Sequence, residues 1–167
     1  MNDDRDLAVA DYRPGALGRV CQLQAACYAE EWGFGRAFEV KVAAEMAAFL
    51  ARFDAATDLF KIALRDDDIV ASVTLDGGEH DHRMAHLRWF IVAAGWRGKG
   101  LGRRLLAVAL DFARQQRFET VFLSTFDGLA AARRLYQQAG FELVQAQLGT
   151  SWGAPVVEQR FVLSLRA

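Results

Sequence analysis

The chain has little of what would cross-link it, break it or carry it into a membrane. Only two cysteines and two prolines occur in 167 residues. Cys21 and Cys27 fall six positions apart in one helical stretch. That spacing separates them by about 9 Å along the axis and about 120° around it, too far for a bridge within the helix. They read as small apolar groups in a reducing compartment. No apolar run approaches the ~20 residues needed to span a bilayer. The amino-terminal Met1-Asn2-Asp3-Asp4-Arg5-Asp6 is acidic and polar, the opposite of a secretory signal. An excess charge of one sign is missing too: 20 basic against 21 acidic residues leave a formal charge of −1. That balance offers no broad footprint for nucleic acid or an anionic membrane. The three histidines, His80, His82 and His86, carry no zinc-ligand spacing, and His80 and His82 sit in a polar turn. These absences leave a cytoplasmic protein that needs no metal. With 53% hydrophobic residues it can bury a substantial core as one domain over residues 1–167.

Periodicity divides the chain into alternating elements. Leu7 to Tyr12 can form a first strand, ended by Pro14-Gly15. Residues 16–30 read as an amphipathic helix, with Ala16, Val20, Leu23 and Cys27 on one stripe and Leu17 and Cys21 widening it. After the break Glu31-Trp32-Gly33-Phe34-Gly35, a second helix from about Phe38 to Phe53 carries Val42, Met46, Phe49 and Leu50. Strands follow at Leu59–Leu64, Ile69–Leu75 and Met84–Val92. Alternation along the third of these puts His86, Arg88 and Phe90 on one face and Leu87, Trp89 and Ile91 on the other. A helix to about Gln116, a strand at Thr120–Thr125 and a short helix from Leu129 to Ala139 come next, the last stopped by Gly140. Two strands near Phe141–Gln147 and Val156–Leu165 complete the order β-α-α-β-β-β-α-β-α-β-β. That order predicts an α/β (α+β) fold in which a mixed sheet is flanked by helices. The final strands also offer an edge at which two copies could pair as a homodimer.

The most informative stretch is Arg97-Gly98-Lys99-Gly100-Leu101-Gly102, where a strand runs into a glycine-rich turn that opens a helix. Such a turn presents several backbone N–H groups at the positive end of a helix dipole, a site for phosphate oxygens. A Walker A loop does not fit: Gly95 is too close to Gly98-Lys99, and Gly100 stands where the Mg²⁺-binding hydroxyl belongs. A dinucleotide fingerprint does not fit either, because its third glycine falls on Arg103. A helix start without any ligand is the plain alternative. Three alternating glycines are a costly way to begin a helix, at about 1 kcal/mol each relative to alanine in a helix interior.

Together with a second motif, this turn resembles the GNAT superfamily of N-acetyltransferases. The superfamily loop is Arg/Gln-x-x-Gly-x-Gly/Ala, and residues 97–102 match every defined place. The second signature, Leu-Tyr near the end of a short helix followed by Gly-Phe, reads Leu135-Tyr136-Gln137-Gln138-Ala139-Gly140-Phe141. One place departs: Leu129 stands where many members carry Asn, seven residues before the tyrosine. Tyr28-Ala29-Glu30-Glu31-Trp32-Gly33, His86-Leu87-Arg88-Trp89-Phe90, Leu123-Ser124-Thr125-Phe126 and Glu158-Gln159 further resemble acetyltransferase modules that follow a winged-helix DNA-binding domain in some bacterial proteins. The regulatory half of that resemblance has no counterpart in these 167 residues.

The resemblance implies acetyl-CoA as co-substrate and an amine of a small molecule or peptide as acceptor. The pyrophosphate would lie on the amides of Arg97, Gly98, Lys99, Gly100, Leu101 and Gly102. Lys99, Arg103 and Arg104 either add charge near the phosphates or form a solvated helix face. The strands ending near Val92 and at Val121–Ser124 would splay to admit the pantetheine arm. An amide near Ile91 or Val92 would polarise the thioester carbonyl. Tyr136 is the candidate general acid for the leaving thiolate; its alternative is a core aromatic. Arg88 either grips a carboxylate or phosphate of the acceptor or pairs with a carboxylate at the core edge. Trp32, Trp152 and Phe34 either wall the acceptor site or pack at the core edge. The general base stays open among Glu31, Glu39, His86, Glu158 and ordered water. A non-catalytic acyl-CoA sensor on the same fold is the competing function.

Overall fold

β1 (Leu7–Ala10) leads through Gly15 into α1 (Ala16–Trp32) and α2 (Arg36–Ala51), and three strands follow: β2 (Leu59–Arg65), β3 (Asp68–Asp76) and β4 (Met84–Val92). A 3-10 turn at Ala94–Trp96 precedes α3 (Leu101–Gln115), β5 (Thr120–Phe126), α4 (Ala130–Gln138), β6 (Glu142–Gly149) and β7 (Val156–Ser164). This computed structural model describes residues 7–78, 81 and 83–166. The polar turn at His80 and His82 and the acidic first six residues lie outside the described residues. The element order is the one that periodicity predicts. The differences are at boundaries: α2 begins and ends two residues earlier, and α1 runs on to Trp32.

All seven strands join one sheet in the order β1-β2-β3-β4-β5-β7-β6. Its first four strands form an antiparallel meander, β4 and β5 run parallel, and β7 inserts between β5 and β6. α3 and α4 cover one face through Leu101, Leu105, Ala109, Ala113 and Tyr136, which pack on Val73, Leu87 and Val121. α1 and α2 cover the other through Val20, Phe38, Val42, Met46 and Phe49, packed on Phe60, Ile62 and Ile91. β6 is a sheet edge whose side chains are exposed, Leu148 to 82%. No helix among the described residues is long and apolar enough to cross a membrane.

Two irregularities position the site. The parallel pairing of β4 with β5 holds only from Met84↔Thr120 to His86↔Phe122. Beyond His86, β4 stays on β3 while β5 follows β7, so the sheet opens between them. The second is a bulge in β4, where the register on β3 shifts between Ser72 and Thr74. Trp89 lies in the bulge at φ 45°, an outlier for so bulky a residue, and Ser72 Oγ donates to its carbonyl at 2.8 Å. The bulge corrects the simple alternation expected for this strand. Phe90 and Val92 pack with Leu87 on the α3 face, while Trp89 and Ile91 join Arg88 on the α1/α2 face. An extra residue in one strand inverts the face of everything after it.

Candidate functional site

A cleft of about 1150 Å³ occupies the opening between β4 and β5, bounded by α1, α2, α4 and the end of β7. Its floor at the β4 end is the glycine turn. Gly98 and Gly100 have φ of 75° and 85°, the left-handed region that a side chain resists. Gly102 faces a different demand, since a Cβ there would lie 3.4 Å from both Leu135 Cδ2 and Phe90 Cζ. Arg97 N already donates to Ala94 O at 3.3 Å, which removes it from the expected set of free amides. The next amide to find a carbonyl is Arg104 N, which donates to Gly100 O at 3.0 Å. The N–H groups of residues 98–103 therefore have no backbone acceptor among the described residues, and they lie at the amino end of a 15-residue helix. Six free donors at a helix start suit phosphate oxygens. Replacing Gly100 with alanine should cost about 1 kcal/mol through its left-handed backbone, read as a lowered melting temperature.

The side chain of Arg97 turns away from this donor array. Its Nε donates to Val92 O at 3.0 Å and its Nη2 to Cys27 Sγ at 2.8 Å, while Nη1 pairs with Glu31. Arg97 thus ties the turn to α1, two partners that residue spacing does not reveal. Lys99 Nζ stands 4.8 Å from the Trp96 ring, and Arg103 reaches Gln138 Oε1 at 3.5 Å. Leu101 is buried and anchors the helix start in the core.

Tyr136 lines the cleft from α4 as the buried residue of that helix. Its ring packs on Phe90, Phe141 and Phe161 with centroids 5.9 to 6.2 Å apart. Burial, with a smaller contribution from Tyr28, pushes its phenol well above the ordinary tyrosine range. Tyr28 itself, half-buried against Phe34, Phe38 and Phe126, is pushed up to about 12 by the loss of solvent around it. Leu129 also lines the cleft, and α4 starts there without a side-chain cap.

At the β4 wall of the cleft Arg88 is held from two directions. Nη2 pairs with Glu45 at 2.8 Å, Nη1 faces Asp76 at 3.4 Å, and the guanidinium lies 4.2 Å from the Trp89 ring centroid. The ion pair foreseen as one alternative is present, and the same side chain lines the cleft. Asp76 is fully buried and also takes Arg52 at 2.6 Å. Burial works against its charge, but Arg52, the Gly78 N–H and Arg88 together hold its carboxyl below the ordinary aspartate value.

Trp32 and Trp152 both reach the cleft and both pack on Phe126, at 5.0 and 5.7 Å. Trp32 lies so close to Gly128 that a Cβ there would meet its Cη2 at 2.2 Å. Phe34 is buried beside them in the core rather than lining the cleft. Of the candidate bases, Glu39 is exposed and lies outside the cleft, Glu31 is paired with Arg97, and His86 stacks on Phe122 at 4.3 Å. No group of three metal-ligating side chains is found among the described residues.

Residues 17–141 match the family model described as acetyltransferase (GNAT) family. Over 85 residues the chain is 32% identical to an N-acetylaspartate synthetase of Xenopus tropicalis, covering 51% of this chain and 31% of that protein. It is 36% identical over 75 residues to the uncharacterized N-acetyltransferase YjgM of Escherichia coli K12, covering 45% of this chain and 44% of that one. The chain thus spans less than half the length of these curated relatives. Among solved structures, yncA of Salmonella typhimurium, a putative acetyltransferase with its cofactor acetyl-CoA, superposes with a TM-score of 0.76 at 16% identity, over 96% of this chain and 95% of that one. A putative GNAT acetyltransferase from Desulfovibrio desulfuricans gives 0.72 at 24% identity, over 96% and 99%. Three quarters of the chain fall within the family match, and the chain belongs to the acetyltransferase (GNAT) family.

Proposed function

We propose that the protein is an acetyl-CoA-dependent N-acetyltransferase that passes the acetyl group to a primary amine of a small molecule or peptide by direct attack on the thioester. The observation that carries this reading is the row of free amides at residues 98–103, set beside the opening between β4 and β5. Those amides would hold the pyrophosphate, with Lys99 and Arg103 at the rim, and the open strand edges would receive the extended arm. The thioester supplies an activated acetyl group. The β4 segment at Ile91 and Val92 would offer an amide to the oxyanion that develops on its carbonyl. Tyr136 would give its proton to the departing sulfur. The reading keeps the reaction in the cytoplasm, as composition suggests.

Arg88 would orient an acceptor that carries a carboxylate. Glu45, whose side chain is 38% exposed at the cleft, is the partner an incoming carboxylate would replace, while Asp76 keeps the guanidinium in place. The relative named N-acetylaspartate synthetase carries an acidic amino acid in its name, and such an acceptor class suits this arrangement. Arg88→Ala should raise KM roughly tenfold for a carboxylate-bearing amine and leave an uncharged amine unaffected. An equal fold-change in KM for both amines, or no change for either, would remove this role.

The direct assay is release of free CoA thiol from acetyl-CoA with a panel of primary amines, with Tyr136→Phe as control. Amine-dependent release that falls in the variant supports the reading. The hydrophobic Leu129 at the start of α4 favours the second reading, a sensor that binds acyl-CoA without turnover. Tight acetyl-CoA binding with no amine-dependent thiol release would select it.

A further inference from the structure

Three carboxylates line the cleft among the described residues: Glu31, Glu45 and Glu158. Glu31 is neutralised by Arg97, and Glu45 by Lys41 and Arg88. Glu158 alone of the three has no cationic partner among the described residues; its Oε1 accepts the Ser151 N–H at 2.7 Å. It stands on β7 opposite Phe126 of β5 and Gln147 of β6, at the end of the sheet nearest Trp152. The β6–β7 turn is shaped around this carboxylate. Gly149 has no side chain where a Cβ would lie 2.4 Å from Glu158 Cδ. Trp32 and Trp152, both packed on Phe126, supply aromatic surface at the same end.

A lone carboxylate at the wall of a cleft becomes costly once a ligand displaces the water around it, unless the ligand brings the opposite charge. Aromatic rings favour the same kind of ligand. We propose that Glu158 receives the ammonium group of the acceptor and takes up the proton that frees the amine for attack. This proposal rests on the N-acetyltransfer reading. The protonated amine gives one proton to Glu158 and becomes a neutral nucleophile. Its nitrogen forms the bond to the acetyl carbon as the carbon–sulfur bond breaks. The sulfur takes the Tyr136 proton, and the second proton leaving nitrogen restores Tyr136 through solvent. Glu158 returns its proton to solvent, so each turnover releases amide, free thiol and one proton.

Glu158→Gln keeps the shape and can still accept the Ser151 N–H, so the turn is preserved while the charge is lost. The test compares this variant with the wild type at pH 7, using butylamine, which is protonated there, and 2,2,2-trifluoroethylamine, which is mostly neutral. The expected result is a loss of about a hundredfold or more in kcat/KM for butylamine, a loss under tenfold for trifluoroethylamine, and an unchanged KM for acetyl-CoA. Equal losses for both amines would mark a structural role and overturn the proposal, as would no loss. A second measurement, calorimetric binding of butylamine in the presence of CoA, separates the two layers. Weaker binding by the variant supports the ammonium site even if the wild type transfers no acetyl group, in which case the transfer reading alone fails. Equal binding by both proteins overturns the site whatever the assay shows.

Discussion

Tyr136→Phe is expected to lower kcat by about a hundredfold while acetyl-CoA affinity stays within about twofold of the wild type. The fold should tolerate the change, because the ring keeps its packing on Phe90, Phe141 and Phe161 and loses only the hydroxyl. Steady-state thiol release gives kcat, and calorimetry gives the affinity. The pH dependence adds a second check. Burial holds the phenol above its ordinary range, so Tyr136 keeps its proton as pH rises through the values at which a free tyrosine ionises. The wild type should therefore show no alkaline fall in kcat from this residue below about pH 10. A Tyr136→Phe variant as fast as the wild type at every pH would reduce Tyr136 to a core aromatic.

Asp76→Asn should be the most destabilising single replacement among the charged residues. The carboxylate is fully buried and lies between two guanidinium groups, Arg52 at 2.6 Å and Arg88 at 3.4 Å. Removing its charge leaves both cations in a partly buried setting. Breaking a buried pair costs about 3–5 kcal/mol, and solvent access to Arg52, 30% exposed, brings this to about 2–3 kcal/mol. For a chain of this length that corresponds to a drop in Tm of roughly 5–10 °C. The sign of the pH effect follows from the lowered folded value. The contribution of Asp76 is fully present above the ordinary aspartate value near 3.8 and disappears as pH falls through the lower folded value. The difference in Tm between wild type and variant should thus shrink only in strong acid. A variant that melts with the wild type at pH 7 would show that the two arginines do not depend on Asp76.

The same cluster shows where the sequence was legible and where it was not. Arg88 could be singled out, because an arginine among apolar strand residues demands a partner. Its partners could not: Asp76 and Glu45 lie 12 and 43 positions away, on β3 and α2, and only the sheet register and the helix crossing bring them together. The glycine turn and the short α4 helix were readable as local structure, since both depend on backbone geometry that the residue types dictate, whereas the Arg97 bonds to Ala94, Cys27 and Glu31 were not. Gly98 and Gly100 do adopt left-handed backbone, and Tyr136 does face the cleft. The β4 bulge was not readable. Strict alternation is the default for a strand, and the inserted residue at Trp89 is imposed by pairing with Ser72 and Thr74 rather than by anything local. Glu158 was visible only as one of several acidic candidates. Its distinction is the lack of a cationic partner among the described residues and the space left by Gly149, which a linear pattern does not carry.

The short pairing between β4 and β5 has a mechanical meaning. The sheet consists of two leaves, β1–β4 and β5–β7–β6, stitched at three residue pairs from Met84↔Thr120 to His86↔Phe122. A donor molecule whose arm hydrogen-bonds to both open edges would act as an eighth, removable strand and fasten the leaves together. Amides on the cleft edges of β4 and β5 should then exchange hydrogen quickly in the empty protein and slowly in the loaded one, and melting should shift upward with donor concentration. Cargo and structural fastener would be the same molecule, and each release of CoA would unlatch the sheet.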